Sequence, residues 1–181
     1  MHVSPARLVI VALLIAATSL TTSAAVRPPK LQYDIATLSN GLTLVLSEDH
    51  STPIVHVQVW YHVGSKNEKK GRTGFAHLFE HLMFKGSKNV GPEEHTSMMT
   101  SLGGQSNAYT TDDETVFWES VPSQYLPLTM WLEADRMATL RIDKDTFQNE
   151  REVVKEVGTN QHTQFLAQGK KLRVCGFQYY T

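Results

Sequence analysis

The stretch His77-Leu78-Phe79-Glu80-His81 places two histidines four residues apart, with a glutamate directly before the second. On a helix this spacing stacks both imidazoles on one face, where they can meet a single cation. Glu80 lies one residue's rotation away, so its carboxylate can hold a metal-bound water rather than the metal itself. The stretch therefore predicts a zinc site with a general base beside it.

The residues around this stretch favour a helix. Thr73 can cap its start, Gly74 opens the turn, and Gly86 ends an apolar run at helical spacing that comprises Phe75, Leu78, Phe79, Leu82 and Met83. For an isolated pair of histidines, ordinary helix-face residues beside a solvated carboxylate are the commoner arrangement. The order H-x-x-E-H, however, is the inverzincin motif, and the flanking pattern supports a site.

The N-terminal segment has the features of a secretory signal peptide. Arg7 precedes an apolar run over residues 8–17, and Ser23-Ala24-Ala25 supplies the small residues of a cleavage site. The apolar run is shorter than the roughly 20 residues that a membrane helix needs, which disfavours the alternative of an anchor. We therefore expect residues 1–25 to be removed, leaving an exported chain, periplasmic or secreted, with no stable membrane span.

Composition disfavours several classes of function. The 181-residue chain has a formal net charge of −1, and the sequence contains neither a basic stripe nor a glycine-rich phosphate loop. Nucleic acid and nucleotides are therefore not expected partners. Cys175 is the single cysteine, so the chain forms no internal disulfide and depends on its core or on a partner.

Periodicity predicts strands and helices in separate runs. Two strands flank the tight turn at Asn40-Gly41, and His95 is expected to be a surface histidine on a short helix. The expected strands cover residues 33–38, 42–47, 54–63, 107–111 and 115–121, and the expected helices surround 77–81 and cover 92–103, 124–140 and 143–157, the last capped by Asp143 or Asp145. This order implies an α+β fold with helices packed on one face of a largely antiparallel sheet.

The chain resembles the pitrilysin or insulinase zinc metallopeptidases, family M16, over residues 42–156. The resemblance rests on many segments that follow the family's order. They include VWYHVGS at 59–65, GFAHLFEHLMFKG at 74–86, GGQSNAYT at 103–110, LEADRM at 132–137 and EREVVKE at 150–156.

This resemblance implies a zinc endopeptidase with one Zn²⁺ per chain. His77 and His81 would bind the metal, a downstream glutamate would be the third ligand, and a water would occupy the fourth position. Glu80 would take a proton from that water as general base. Asn107 and Ala108 would lie on the strand bordering the cleft, where a peptide or unfolded protein can add as a further strand. Turn chemistry alone is equally consistent with a turn role for Asn107.

The third ligand departs from the family's pattern. In a segment of the type E-R-x-V-V-x-x-E, the last glutamate falls on Val157, seven residues after Glu150, and valine cannot bind zinc. Glu156 lies about 100° round the helix from that position, so it could reach the metal only if the helix were locally over- or underwound. Glu150 shares the Val157 face and resembles the family's auxiliary glutamate, which is expected beside the ligands rather than on the metal.

These observations divide the chain into three segments. We expect a signal peptide at 1–25, an incomplete M16-like N-terminal peptidase domain at 26–157, and a tail at 158–181 without family resemblance. A frame change or fusion just before the third ligand would explain the abrupt end, and natural divergence is the alternative. Because the family pairs two homologous domains around its substrate, we also expect a second M16-type domain or subunit as partner.

Two functions follow from this reading of the sequence. The first is a zinc-dependent metalloendopeptidase that hydrolyses peptide bonds through a metal-activated water. The alternative is an inactive truncated remnant, or a non-catalytic binding subunit, of an M16-type peptidase.

Overall fold

The computed structural model describes residues 30–69 and 72–167, with side chains as far as Val157. The expected signal peptide lies outside the described residues, as does the end of the expected tail. The described residues fall into two compact units, which divide between His50 and Ser51.

The first unit contains an antiparallel hairpin. Strand β1 (Asp34–Thr37) pairs with β2 (Thr43–Leu46) over all four residues of each strand. In the turn, the Oδ1 of Asn40 accepts a 3.1 Å hydrogen bond from the Leu42 amide. Gly41 adopts φ +89°, a conformation that glycine reaches without the steric cost of a Cβ. The hairpin predicted around Asn40-Gly41 is confirmed.

The second unit is built on a three-stranded antiparallel sheet in the order β3-β5-β4. Its strands are β3 (Ile54–Tyr61), β4 (Gln105–Thr110) and β5 (Thr115–Pro122). The even-numbered residues of β3 are exposed and the odd-numbered ones are half-buried, which fits the predicted alternation. The central strand β5 is mostly buried, so the core of this unit lies along it.

Within the described residues, four α-helices accompany the sheet. They are α1 (Phe75–Leu82), α2 (Glu94–Ser101), α3 (Leu126–Thr139) and α4 (Lys144–Ala167). The Asp143 carboxylate accepts hydrogen bonds from the amide and hydroxyl of Thr146, at 2.8 and 2.9 Å, so it caps α4. The predicted end of α4 at residue 157 is wrong, because a single glycine at 158 costs only about 1 kcal/mol and does not by itself end a helix.

Two buried clusters hold these elements together. One joins α2 and α3 to β5 and contains Val90, Met99, Val121 and Leu132. The other joins α1 to α4 and contains Leu78, Leu82 and Val154, with Phe147 packed against them. The second cluster matters for function because α1 carries the H-x-x-E-H stretch and α4 carries Glu150.

The predicted α+β class is confirmed by the antiparallel sheets and the four helices. Within residues 30–69 and 72–167, no helix combines the length and the apolar character that crossing a bilayer requires.

The contact between α1 and α4 can be tested with two neighbouring valines. Val154 is fully buried, whereas Val153 is 43% exposed on the same helix. We expect Val154→Ala to lower the free energy of unfolding in urea by about 1–3 kcal/mol, because two methyl groups leave a packed core. Val153→Ala is the control and should change it by less than about 0.5 kcal/mol. Equal effects would contradict this packing.

Candidate metal site

Helix α1 brings the two histidines of the H-x-x-E-H stretch together. The Nε2 atoms of His77 and His81 lie 3.3 Å apart, and the rings meet edge to face. Two nitrogens bound to one tetrahedral zinc at 2.0–2.1 Å are separated by about 3.3–3.4 Å. The two imidazoles therefore have the spacing of two ligands of a single metal ion.

The protonation of His77 also suits a metal ligand. Burial lowers the pKa of His77, and the nearby charge of Glu80 opposes this effect without reversing it. A lowered pKa keeps the imidazole neutral at neutral pH, and only a neutral imidazole offers a lone pair to a metal. The two histidines therefore fit a zinc site in both their spacing and the protonation of His77.

Glu150 reaches this pair from α4. Its side chain is buried, with Oε2 lying 3.2 Å from the Nδ1 of His81 and Oε1 lying 3.2 Å from the Nζ of Lys85. Because a carboxylate only accepts, it favours the His81 tautomer with a proton on Nδ1, which leaves the Nε2 lone pair towards His77. This contact is the one expected of an auxiliary glutamate that orients a ligand.

Lys85, the second partner of Glu150, also interacts with Glu93. Burial alone would lower the pKa of Lys85, but its hydrogen bonds to Glu93 and Glu150 outweigh this and raise the pKa. Lys85 therefore stays charged and fixes one oxygen of Glu150, while the other oxygen faces His81.

The proposed base is held from the sheet. Thr110, at the end of β4, donates a 2.5 Å hydrogen bond from its hydroxyl to the Oε2 of Glu80. Sequence reasoning missed Thr110, because its partner lies 30 positions earlier in the chain. The bond leaves the other carboxylate oxygen, Oε1, for a different partner.

Asn107 and Ala108 lie within β4, so the turn alternative for Asn107 does not hold. In the part of the chain that the structure describes, β4 pairs with β5 alone and forms an edge of its sheet. Asn107 is exposed there, and its Oδ1 accepts a 2.9 Å hydrogen bond from the Ala108 amide. The two residues therefore lie on an edge strand, and their contact with a bound peptide stays a prediction.

The position predicted for a third ligand has no donor among the described side chains. Val157 is half-buried, whereas Glu156 is exposed. No His, Cys, Asp or Glu with a described side chain completes a group of three ligands with His77 and His81. Glu156 as third ligand therefore stays a prediction.

A cavity of about 570 Å³ adjoins Glu80. Its walls are mostly apolar and come from α1, the end of β3 and the end of α3; they include Phe75, Phe79, Tyr61, Met137 and Leu140. The base therefore lies at the border between the histidine pair and an apolar space.

A second group of ligand-type residues is buried elsewhere in the same unit. The Nε2 of His95 lies 3.6 Å from the Oε1 of Glu133 and 3.9 Å from the Oε1 of Glu119. Arg136 Nη2 donates to both of these oxygens. A guanidinium thus already provides the cation between the carboxylates, so this group is a buried ion network rather than a metal site.

The network corrects one expectation and explains two shifted pKa values. His95 is only 5% exposed, so the prediction of a surface histidine is wrong; α2 packs it against Glu119 of β5 and Glu133 of α3. Burial and the neighbouring Glu133 raise the pKa of Glu119 to about 9. Burial alone would also raise the pKa of Glu133, but the neighbouring His95 and Glu119 and the hydrogen bonds from Arg136 hold it at about 2.

The amino-acid sequence matches a known family of peptidases. Residues 43–169 match the family model described as Insulinase (Peptidase family M16). The match continues past Val157, the residue at which we expected the resemblance to stop.

Three similar proteins illustrate the match. Zinc protease PqqE of Helicobacter pylori is 37% identical over 126 residues, which cover 69% of this chain and 28% of that protein. Cytochrome b-c1 complex subunit 1, mitochondrial, of Rattus norvegicus is 34% identical over 123 residues, which cover 68% of this chain and 25% of that protein. The crystal structure of the periplasmic protease PqqL from Escherichia coli has a TM-score of 0.64 and 29% identity, covering 73% of this chain and 16% of that one. The chain thus spans about a quarter of the curated relatives that it matches.

The ion network predicts a dependence of stability on pH. In the folded chain the pKa of Glu119 is about 9, against an ordinary value of 4.5, so folding takes up a proton between these values. Its stabilising contribution is therefore complete below pH 4.5 and is lost as the pH rises towards 9. Glu133 titrates below this window.

Glu119→Gln should remove this dependence, because glutamine is neutral like a protonated carboxyl group. Between about pH 5 and 9, the free energy of unfolding in urea should fall less steeply for the variant than for the unaltered chain. Glu152→Gln, on the surface of α4, is the matched control and should leave the slope unchanged. Equal slopes for Glu119→Gln and the unaltered chain would contradict the raised pKa.

Proposed function

We propose, because this chain belongs to the insulinase family (peptidase family M16), that it carries the base and two metal ligands of a zinc-dependent metalloendopeptidase. The observation that carries the proposal is the 3.3 Å separation of the His77 and His81 Nε2 atoms, with Glu80 on the same helix. His77 and His81 would hold one Zn²⁺. The spacing, the lowered pKa of His77 and the Glu150 contact support this assignment.

A bound zinc ion would lower the pKa of its water and polarise a peptide carbonyl. Glu80 would accept the proton of the attacking water. Since Thr110 already donates to Oε2, the free oxygen Oε1 is the proton acceptor in this proposal. After transfer, the protonated carboxyl group could give the proton to the leaving amine.

The substrate in this proposal is an extended peptide or an unfolded protein. The exposed edge of β4 at Asn107 and Ala108 offers backbone groups with which such a segment can pair. A second M16-type domain or subunit would complete the enclosure, since the chain spans only 28% of the Helicobacter pylori relative.

We also propose export to the periplasm or the cell exterior. The sequence of residues 1–25 supports it. Known relatives differ on this point, because the similar PqqL of Escherichia coli is a periplasmic protease, whereas the similar rat subunit is mitochondrial.

A second function, a non-catalytic remnant or binding subunit, is favoured by one observation. Val157 occupies the position where the family has its third ligand, and no described carboxylate completes the group. A zinc ion held by two histidines alone would bind less tightly than one in a closed three-ligand site.

Zinc titration of the chain tests the proposal and separates it from the alternative. We expect binding of one zinc equivalent that His77→Ala abolishes. Val157→Glu should tighten binding by more than the roughly 10–100-fold that an outer-shell partner is worth, because it adds a ligand. Val153→Glu, on the exposed side of the same helix, is the matched control and should not tighten it. Binding that His77→Ala leaves intact would contradict the site.

Cleavage of an unstructured peptide by the zinc-loaded chain decides between the two functions. The endopeptidase proposal expects cleavage that Glu80→Gln abolishes while zinc remains bound. Cleavage that occurs only after Val157→Glu would instead identify the chain as a remnant of a peptidase site.

A further inference from the structure

The helix that carries the histidines has no cap of its own. Gly74 precedes α1 with φ +88° and provides no side chain to cap it, so the predicted cap from Thr73 is wrong. The first amides of any helix lack partners within the helix. His77 is the third residue of α1, inside this first turn. An eight-residue helix is also too short to be stable alone.

Glu68 supplies the missing partners from outside the helix. Its Oε2 accepts a 2.7 Å hydrogen bond from the Gly74 amide, and its Oε1 accepts a 2.8 Å hydrogen bond from the Ala76 amide. Both bonds are charge-assisted, and a negative charge is favourable at the positive end of a helix. Ala76 directly precedes His77, so the second bond fixes the backbone next to a metal ligand.

The segment before Glu68 is itself docked on the turn between β4 and β5. The amides of Ser65 and Lys66 donate to the carbonyls of Thr111 and Asp112, at 3.1 and 3.0 Å. A Cβ added at Gly64 would lie 2.4 Å from the Thr111 carbonyl oxygen, so this approach requires glycine. Two backbone hydrogen bonds and a close backbone approach therefore anchor the segment that precedes Glu68.

The same turn adjoins the residue that holds the base. Thr110, which donates to Glu80, directly precedes Thr111, on which the Glu68 segment docks. The end of β4 and the turn after it thus support α1 at two places. Thr110 holds the carboxylate of Glu80, and the turn anchors the segment of Glu68, which holds the first turn of the helix.

We propose that Glu68 is a positioning residue of the metal site. Its carboxylate ties the first turn of α1 to the turn between β4 and β5 and so keeps the Nε2 of His77 close to that of His81. The inference rests on the proposed function only for the statement that these histidines bind metal.

Two measurements on the whole chain test this role. Amide hydrogen exchange in the metal-free chain reports the cap, and we expect Glu68→Ala to speed exchange at Gly74 and Ala76 by about 2- to 30-fold. Titration with Co²⁺ alone reports the site, and we expect its affinity to fall by about 10–100-fold with a changed visible absorption spectrum. Glu68→Gln keeps one acceptor oxygen. Its amide exchange and its Co²⁺ affinity should therefore lie between those of Glu68→Ala and those of the unaltered chain.

Two controls separate positioning from lost stability. Leu132→Val, in the cluster that joins α2 and α3 to β5, should lower global stability without changing the Co²⁺ spectrum. Glu152→Gln, an exposed glutamate on α4, should change neither measurement.

Each outcome decides the inference. Faster exchange together with weakened Co²⁺ binding supports it. Unchanged exchange at Gly74 and Ala76, or faster exchange with unchanged Co²⁺ affinity, overturns it. A further outcome is that the unaltered chain binds no Co²⁺ while Glu68→Ala still speeds exchange. That result supports the cap that Glu68 provides for α1 and counts only against the proposed function.

Discussion

The packing of α1 on α4 is the contact on which the candidate site depends. Leu82 and Val154 are fully buried in this contact, and Glu150 lies one helical turn before Val154 on the same face of α4. The packing that excludes water from the valine therefore also places the glutamate carboxylate against His81. The core and the site share one interface, so a change that loosens the interface also changes the histidine pair.

The residues that hold the proposed ligands and base in place are all present, whereas the set of metal ligands is incomplete among the described side chains. Thr110 holds Glu80, Glu150 holds His81, and Glu68 holds the first turn of the helix between them. Each of these bonds removes freedom from a group before any substrate or metal arrives, which is the usual purpose of outer partners in a catalytic site. The position at which the family resemblance predicts the third ligand, in contrast, holds Val157.

Local patterns predicted most of the fold but little of the site's support. The Asn40-Gly41 turn and the Asp143 cap depend on neighbours within a few residues, so the sequence reveals them. The contacts of Thr110 with Glu80 and of Glu68 with the α1 amides cross strands and loops, where periodicity carries no information. His95 was mispredicted because α2 is polar on most sides, so its sequence does not indicate which side packs inward.

The most direct test of this account is the tautomer of His81, measured from the ring ¹⁵N shifts of the metal-free chain at neutral pH. The account predicts that the neutral His81 ring carries its proton on Nδ1 rather than on Nε2, because Glu150 accepts at Nδ1. Glu150→Ala should shift His81 towards a mixture of tautomers, while the exposed His62 stays unchanged in the same spectrum. A neutral His81 ring protonated on Nε2, or no response to Glu150→Ala, would contradict the claim that α4 orients this proposed metal ligand.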